Sequence, residues 1–223
     1  LVPYQIAGCI WYQGESNHEN APSYARLVSK MVEAWRKDFE WDFPFYYVQI
    51  APHTYGAKNN TPALLREQQE LMLGQVKNTA MINISDLVEN VKDIHPRNKR
   101  AIGERLACLA MDKVYGQFTG AYESPRLASA ELQKGKIVVN LEGNFSTLQS
   151  TTPHITGLVL TDGKGDTLTV KAKIKGKQII LPVRKLNPPY RVSYCFDEAT
   201  IGSLRTEAGM PVLPFCTKPI EKQ

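Results

Sequence analysis

The sequence predicts an α/β domain, a parallel sheet with helices on both faces, followed by a β-rich C-terminal domain. Three observations carry this expectation. Strand-like and helix-like segments alternate through about the first 120 residues, short alternating segments replace them afterwards, and Gly, Pro, Asn and Asp punctuate both regions. The change of pattern lies within residues 116–130 and divides the chain into domains 1–120 and 121–223.

The elements follow in order. Ile6 to Trp11 is a short apolar run between Pro3 and Gly14, the pattern of a strand buried on both faces. From Pro22 to Asp38, Tyr24, Leu27, Val28, Met31, Val32 and Trp35 recur at steps of three and four and form one helical stripe. Phe45 to Ile50 is dense in aromatic and β-branched residues, and Pro52 ends it as a strand. Thr61 and Pro62 supply an N-cap and first turn for a helix reaching about Leu73. Thr79 to Ser85 is a third strand, and Asp86 to His95 a loop leading into Pro96 at the first turn of a helix to about Tyr115. The order βαβαβα places ligands beyond the carboxyl ends of parallel strands. After Gly120 the segments Lys136–Leu141, Ile155–Thr161, Thr167–Ile174, Lys177–Leu181 and Tyr190–Phe196 read as strands. In the third of these, Leu168, Val170, Ala172 and Ile174 alternate with polar neighbours, as in a sheet with one wet face.

Bulk properties exclude several classes. With 223 residues, 43% hydrophobic and 22% charged, the chain can bury a core and fits neither a disordered nor a fibrous protein. Its net charge of +5 comes from 27 basic and 22 acidic side chains that are scattered rather than gathered into a stripe. Lys171, Lys173, Lys175 and Lys177 alternate with apolar residues as the wet face of a strand, so no nucleic-acid groove is expected. Cys9, Cys108, Cys195 and Cys216 lie far apart without metal-ligand spacing, which argues against zinc. Cys9 and Cys108 read as buried thiols, whereas Cys195 and Cys216 are candidates to pair if the protein is exported. No run of about 18 apolar residues exists, so no membrane span is expected. The chain opens on Leu-Val-Pro-Tyr inside what reads as running structure; this start is taken as a boundary, and the lack of a leader carries no information.

The loops after the first and third strands hold the candidate chemistry. Trp11-Tyr12-Gln13-Gly14-Glu15-Ser16-Asn17 leaves the first strand, and Asp93-Ile94-His95-Pro96 ends the loop after the third. Gly14-x-Ser16 imitates the start of a nucleophile elbow, but His18 stands where the sharp turn needs glycine. An N-cap role for Ser16 or Asn17 is the competing reading. Gln13 and Gly14 suit the oxyanion side of a site, since an amide side chain brings two donors and glycine lets a substrate approach the backbone. A tight turn with Gln13 bonded internally fits equally well. His95 at a helix N-terminus would be kept neutral by the helix dipole and ready to act as a general base, or would pack there without chemistry. His18 and His53 read as structural or rim residues, and His154 lies in the β region.

Together these loops resemble the sialate O-acetylesterase family within the SGNH (GDSL-like) hydrolases. The resemblance rests on Gly8 through Asn17, Gln49 to Pro52, Leu65-Arg66-Glu67-Gln68-Gln69, and Asp93-Ile94-His95-Pro96-Arg97-Asn98-Lys99 with Gly103 and Arg105-Leu106-Ala107. A weaker match is the tail, Tyr190 to Tyr194 and Glu207 to Pro211 before Pro214-Phe215. The family implies a flavodoxin-like fold and a serine that removes acetyl groups from sugar hydroxyls, chiefly of sialic acids. That serine sits in a Gly-Gln-Ser-Asn block that this chain does not contain, so the resemblance implies a missing N-terminal part of the same protein and an inactive chain on its own. Carried over by motif, Gln13 with Gly14 takes the oxyanion side and His95 the base. The superfamily places its aspartate three residues before the histidine, where this chain has Lys92. Asp93, Asp86 and Glu15 are therefore the candidate carboxylates. The resemblance implies a glycan substrate, no metal or organic cofactor, and a secreted, periplasmic or lysosomal setting. An acetylxylan-type deacetylase and a non-catalytic carbohydrate-binding fragment are the rival expectations.

Overall fold

A computed structural model describes residues 2, 4–57, 59–168, 171–183 and 186–221, and the chain divides into two compact units, Leu1–Tyr122 and Glu123–Gln223. The first unit contains a parallel sheet of β1 (Cys9–Trp11), β2 (Phe45–Val48) and β3 (Thr79–Ile82), in the order β1-β2-β3. Three helices accompany it: α1 (Tyr24–Asp38), α2 (Thr61–Gln75) and α3 (Lys99–Tyr115). Adjacent tyrosines of β2 define its two faces, because side chains alternate along a strand. The Tyr47 hydroxyl donates to the Gln69 carbonyl of α2 at 2.6 Å, while Tyr46 on the other face feels Asp112 of α3. Helices thus cover both faces of the sheet.

The strands are shorter than the apolar runs that encode them. Among the described residues β1 pairs only with β2, and its middle residue Ile10 is 69% exposed, so the expectation of a first strand buried on both faces is corrected. An apolar run reports that burial is tolerable; it does not supply the neighbour that would bury Ile10. Along α1 the buried face is Tyr24, Ala25, Val28, Ser29, Val32 and Arg36, and Leu27 lies half exposed outside it. α2 begins at Thr61, so its N-cap is Asn60 rather than Thr61, and the Thr61 hydroxyl meets His18 Nδ1 at 3.1 Å instead.

Arg36 fastens the amino-terminal edge of the sheet. Its nearly buried guanidinium donates to the carbonyls of Phe43 at 2.7 and 3.0 Å, Lys77 at 2.9 Å and Asn78 at 3.1 Å, and pairs with Asp42 at 3.2 Å. One side chain therefore satisfies backbone oxygens that precede both β2 and β3.

The second unit is antiparallel throughout. One four-stranded sheet joins β4 (Arg126–Gln133), β5 (Lys136–Glu142), β10 (Gln178–Pro182) and β9 (Lys173–Lys175), in that order. Another joins β13 (Phe215–Cys216), β11 (Arg191–Tyr194), β7 (Leu158–Thr161) and β8 (Thr167–Leu168), and β12 (Leu204–Thr206) pairs with β6 (Leu148–Ser150). Ile137, Val139, Ile179 and Leu181 share a core with Leu158, Leu160, Val192 and Tyr194. The expected strand Thr167–Ile174 is not continuous: β8 pairs with β7, whereas β9 pairs with β10 in the other sheet. Leu168 is 44% exposed, and Val170 lies outside the described residues. Cys9 and Cys108 are free thiols of intermediate burial, so the expectation that both are buried is corrected.

Replacing Arg36 with Met should cost about 2–4 kcal/mol, because a charge-assisted donor set is lost and the Phe43 and Lys77 carbonyls lose their donor, whereas the Asn78 carbonyl keeps the Phe45 amide. Urea unfolding of the purified chain reads this directly, and a change below about 0.5 kcal/mol would show that the clamp is not energetically coupled to the sheet.

Candidate active site

Because β1, β2 and β3 run parallel, the loops that follow them leave the sheet at one edge. Specific contacts tie these loops together. The Thr54 amide after β2 donates to the Val91 carbonyl in the loop after β3 at 2.8 Å. The Lys99 ammonium at the start of α3 stands 5.0 Å over the ring of Tyr12, which follows β1. The His18 and His53 rings pack on Tyr55 at 4.5 and 4.6 Å between centroids. Burial, followed by the nearby charges of Glu15 and Tyr55, pushes the Tyr12 hydroxyl well above the usual tyrosine range.

The Gln13 loop is built on a fully buried glutamine. Gln69 of α2 accepts the Ile50 amide on its Oε1 at 2.9 Å, where the β2 ladder has ended. Its Nε2 donates to the Gln13 carbonyl at 3.3 Å. Gly14 sits against this group with φ at 147°, and a Cβ there would come within 2.9 Å of Ile50, 3.3 Å of Leu65 and 3.4 Å of Gln69. Both the dihedral and the space demand glycine. The Gln13 carboxamide has internal partners: Oε1 accepts from the Tyr24 hydroxyl at 3.3 Å, and Nε2 donates to Asn17 Oδ1 at 2.5 Å. Glu15, Ser16 and Asn17 belong to a 3-10 segment, Glu15–Ser23, whose N-cap is Gly14 without a side-chain cap, so neither Ser16 nor Asn17 is the N-cap. Ser16 is exposed, and no hydrogen bond joins it to His95 among the described residues.

His95 is exposed and does not lie at a helix N-terminus. α3 begins at Lys99, because Asn98 caps it by accepting the Ala101 amide at 3.1 Å, and Pro96 falls in the loop. The helix-dipole argument for His95 therefore lapses, since that field fades within a turn. Asp93 does meet His95, at the backbone: its Oδ1 accepts the His95 amide at 3.0 Å and its Oδ2 lies 3.4 Å from Arg97 Nε. The His95 amide first, and then Arg97, hold the Asp93 carboxyl below its ordinary range. Asp86 is placed differently from expectation, in a short 3-10 turn, Ser85–Leu87, beyond the end of β3. Its two oxygens are engaged by Arg105 at 2.8 and 2.6 Å, and Arg105 also donates to the Asn83 carbonyl at 2.7 Å. A small cavity of about 130 Å³ is lined by Glu89, Asn90, Asp93, His95, Pro96 and Arg97. Among the described residues no cluster of three His, Cys, Asp or Glu side chains is placed to hold a metal, and no helix is long and apolar enough to cross a membrane.

Residues 2–112, which contain every one of these groups, match the family described as carbohydrate esterase, sialic acid-specific acetylesterase. That stretch belongs to this acetylesterase family. The sialate O-acetylesterases of Mus musculus and Homo sapiens are each 29% identical to the chain over 156 and 159 residues, covering 61% and 63% of it but 28% and 30% of their own lengths. A carbohydrate acetylesterase from Xanthomonas citri, known from its crystal structure, superposes with a TM-score of 0.88 at 31% identity, over 97% of this chain and 51% of that one. The chain thus spans about half the length of the solved relative and under a third of the curated ones.

Sequence reasoning overlooked two structural supports of the acetylesterase loops. Tyr24 read only as one member of an apolar stripe, and Gln69 only as part of a motif. A polar residue on the buried face of a helix was the available signal, since such a group needs a partner. Gly14→Ala should cost about 1–3 kcal/mol through combined strain and overlap, read as a lowered thermal midpoint of the chain. A separate check concerns pH. A depressed carboxylate stabilises its turn above the unfolded carboxylate value and loses that contribution as pH falls through its lower folded value. The turn from Asp93 to Arg97 should therefore stay intact to below about pH 4 and release under more acid conditions. The His95 amide resonance followed by NMR reports this, and release at pH 5 or above would contradict the hydrogen bond.

Proposed function

We propose that the protein containing this chain is a carbohydrate O-acetylesterase acting on acetylated sugar hydroxyls, most closely those of sialic acids. The single observation that supports this reading is that the loops bearing Gln13 and His95 both follow the carboxyl ends of parallel strands within the acetylesterase stretch. A serine outside the residues of this chain attacks the acetyl carbonyl. The His95 imidazole takes the serine proton and returns it to the departing sugar oxygen, as general base and then acid. The Gln13 carboxamide, with one N–H of Nε2 not used by Asn17, stabilises the tetrahedral oxyanion.

Of the carboxylates, Asp93 serves His95 and Asp86 serves the scaffold. Asp93 accepts the His95 amide, so its charge and its hold on the backbone act on the base directly. Asp86 is largely buried and already neutralised by the two-pronged Arg105 contact, which leaves Glu15 as the remaining competitor. In the full-length protein, His95→Ala should abolish hydrolysis of an acetyl ester. Asp93→Asn should lower kcat by roughly 10²-fold with little change in KM, since misplacing a base is costly. Asp86→Asn should instead lower stability by about 2–4 kcal/mol while the folded enzyme keeps its kcat, because a buried ion pair is broken. Hydrolysis that survives His95→Ala, or that requires Ser16, would sink the assignment.

A further inference from the structure

The second unit holds a cavity of its own, between two strand edges that part from each other. β9 is the last strand of its sheet, and β6 pairs only with β12 among the described residues. The Leu148 amide at the start of β6 donates to the Gly176 carbonyl, just past β9, at 3.0 Å. Beyond that rung no further backbone hydrogen bond joins the two edges among the described residues. There a cavity of about 320 Å³ opens, with residues 150 and 153–155 on one side and 171–174 on the other. One wall is fixed in advance by Ser203, which is only 3% exposed. Its carbonyl accepts the Thr151 amide at 2.9 Å, and its hydroxyl accepts the Thr156 amide at 2.9 Å and meets Ser150 Oγ at 2.9 Å. Between these anchors the Thr152 hydroxyl donates to the His154 carbonyl at 2.5 Å, so the backbone that carries His154 is held before any ligand arrives.

The chemistry of the lining is one-sided. His154, Lys171 and Lys173 line the cavity, and no Asp or Glu does. Among the described residues none of these three side chains has a hydrogen-bond or ion-pair partner. Lys177 on the adjoining turn differs, since its ammonium donates to the Gly143 carbonyl at 2.9 Å. The apolar part of the lining is Ile155, Ala172 and Ile174, which also pack on the core of the unit. We propose that this cavity binds a carboxylate-bearing, N-acylated sugar, the terminal residue of an acidic glycan. Basic groups without a counter-charge of their own favour an anion, and the apolar patch beside them suits the methyl of an acyl group. The volume lies at the low end for ligand pockets and admits one sugar ring. A sugar rather than another anion follows from the reading of this protein as a carbohydrate esterase; its carboxylate follows from the cavity. Binding there keeps the glycan on the enzyme independently of the cleavage step.

The test uses the full-length protein and calorimetric titration with N-acetylneuraminate, which carries a carboxylate and an N-acetyl group but no acetyl ester. A Kd on the order of 1 mM is expected for so small a contact set. Lys171→Glu combined with Lys173→Glu should weaken binding by about tenfold or more, because charge-assisted contacts become repulsive, and should leave hydrolysis of 4-nitrophenyl acetate unchanged. N-acetylmannosamine, which lacks the carboxylate, should also bind about tenfold more weakly or worse. If the charge-reversed protein does not fold, judged by circular dichroism, Gln at both positions gives the same reading. Unchanged affinity in the variant, or no binding at about 10 mM sugar, overturns the inference. Sulfate binding as tightly as the sugar shows a site for any anion and overturns the choice of a sugar. Competitive inhibition of ester hydrolysis by N-acetylneuraminate at its Kd places the probe in the ester-cleaving site and overturns the inference too. The site reading fails separately, through an active His95→Ala, which does not touch this binding.

Discussion

The carboxamide of Gln69 is the constraint on which the site edge depends. It is fully buried and takes the Ile50 amide just where β2 stops pairing, so it replaces a missing rung of the ladder with a side chain. From the same amide it reaches the Gln13 carbonyl, which locks the loop after β1 to the end of β2. Buried polar groups are costly unless satisfied, and this one takes its partners from the ends of both β1 and β2: the Gln13 carbonyl, the Ile50 amide and, at 3.5 Å, the Val48 carbonyl. Gly14 follows from that arrangement: with Gln69, Leu65 and Ile50 packed beneath it, no side chain fits. The position of half-buried Gln13 and Glu15 and of exposed Ser16 at the sheet edge is thus a consequence of the packing directly beneath Gly14.

The other half of the edge is held by charge. Arg105 reaches from α3 to the Asn83 carbonyl and both oxygens of Asp86, so the turn after β3 is pinned to the helix that follows it. Further along, Asp93 closes the turn that carries His95. One carboxylate belongs to the frame and the other to the loop. This separation explains how an exposed histidine can be positioned without being buried: its backbone is fixed, while its ring remains open to the small cavity formed with Glu89, Asn90 and Arg97.

The fold class was legible because it rests on periodicity, and periodicity is local. The stripe of α1 and the aromatic run of β2 each state their own secondary structure, and strands alternating with helices dictate a parallel sheet. What depends on partners distant in sequence was not legible. Ile10 and Leu27 are apolar yet exposed, because nothing in their own segments says what covers them. Asp86 looked available as an orienter, since its partner Arg105 lies 19 residues on, in the second turn of α3. Pro96 looked like a first-turn proline, but the capping side chain of Asn98 starts the helix later and leaves His95 in the loop. In the second unit, Arg126–Gln133 carries too little apolar alternation to announce β4, and its register shift between Leu127 and Ser129 breaks what pattern there is. Gln13, Gly14 and His95 were legible as a set of letters; the buried Gln69 and Tyr24 behind them were visible only in three dimensions.

The proposed function puts Gln13 and His95 on one substrate. The most direct measurement is a crystal structure of the full-length protein after reaction with an alkylphosphonate ester that mimics the tetrahedral intermediate. A phosphonyl oxygen is expected about 3 Å from Gln13 Nε2, with the His95 ring facing the leaving-group side of the same phosphorus. A phosphonyl oxygen held by other donors, or an adduct out of reach of His95, would contradict it.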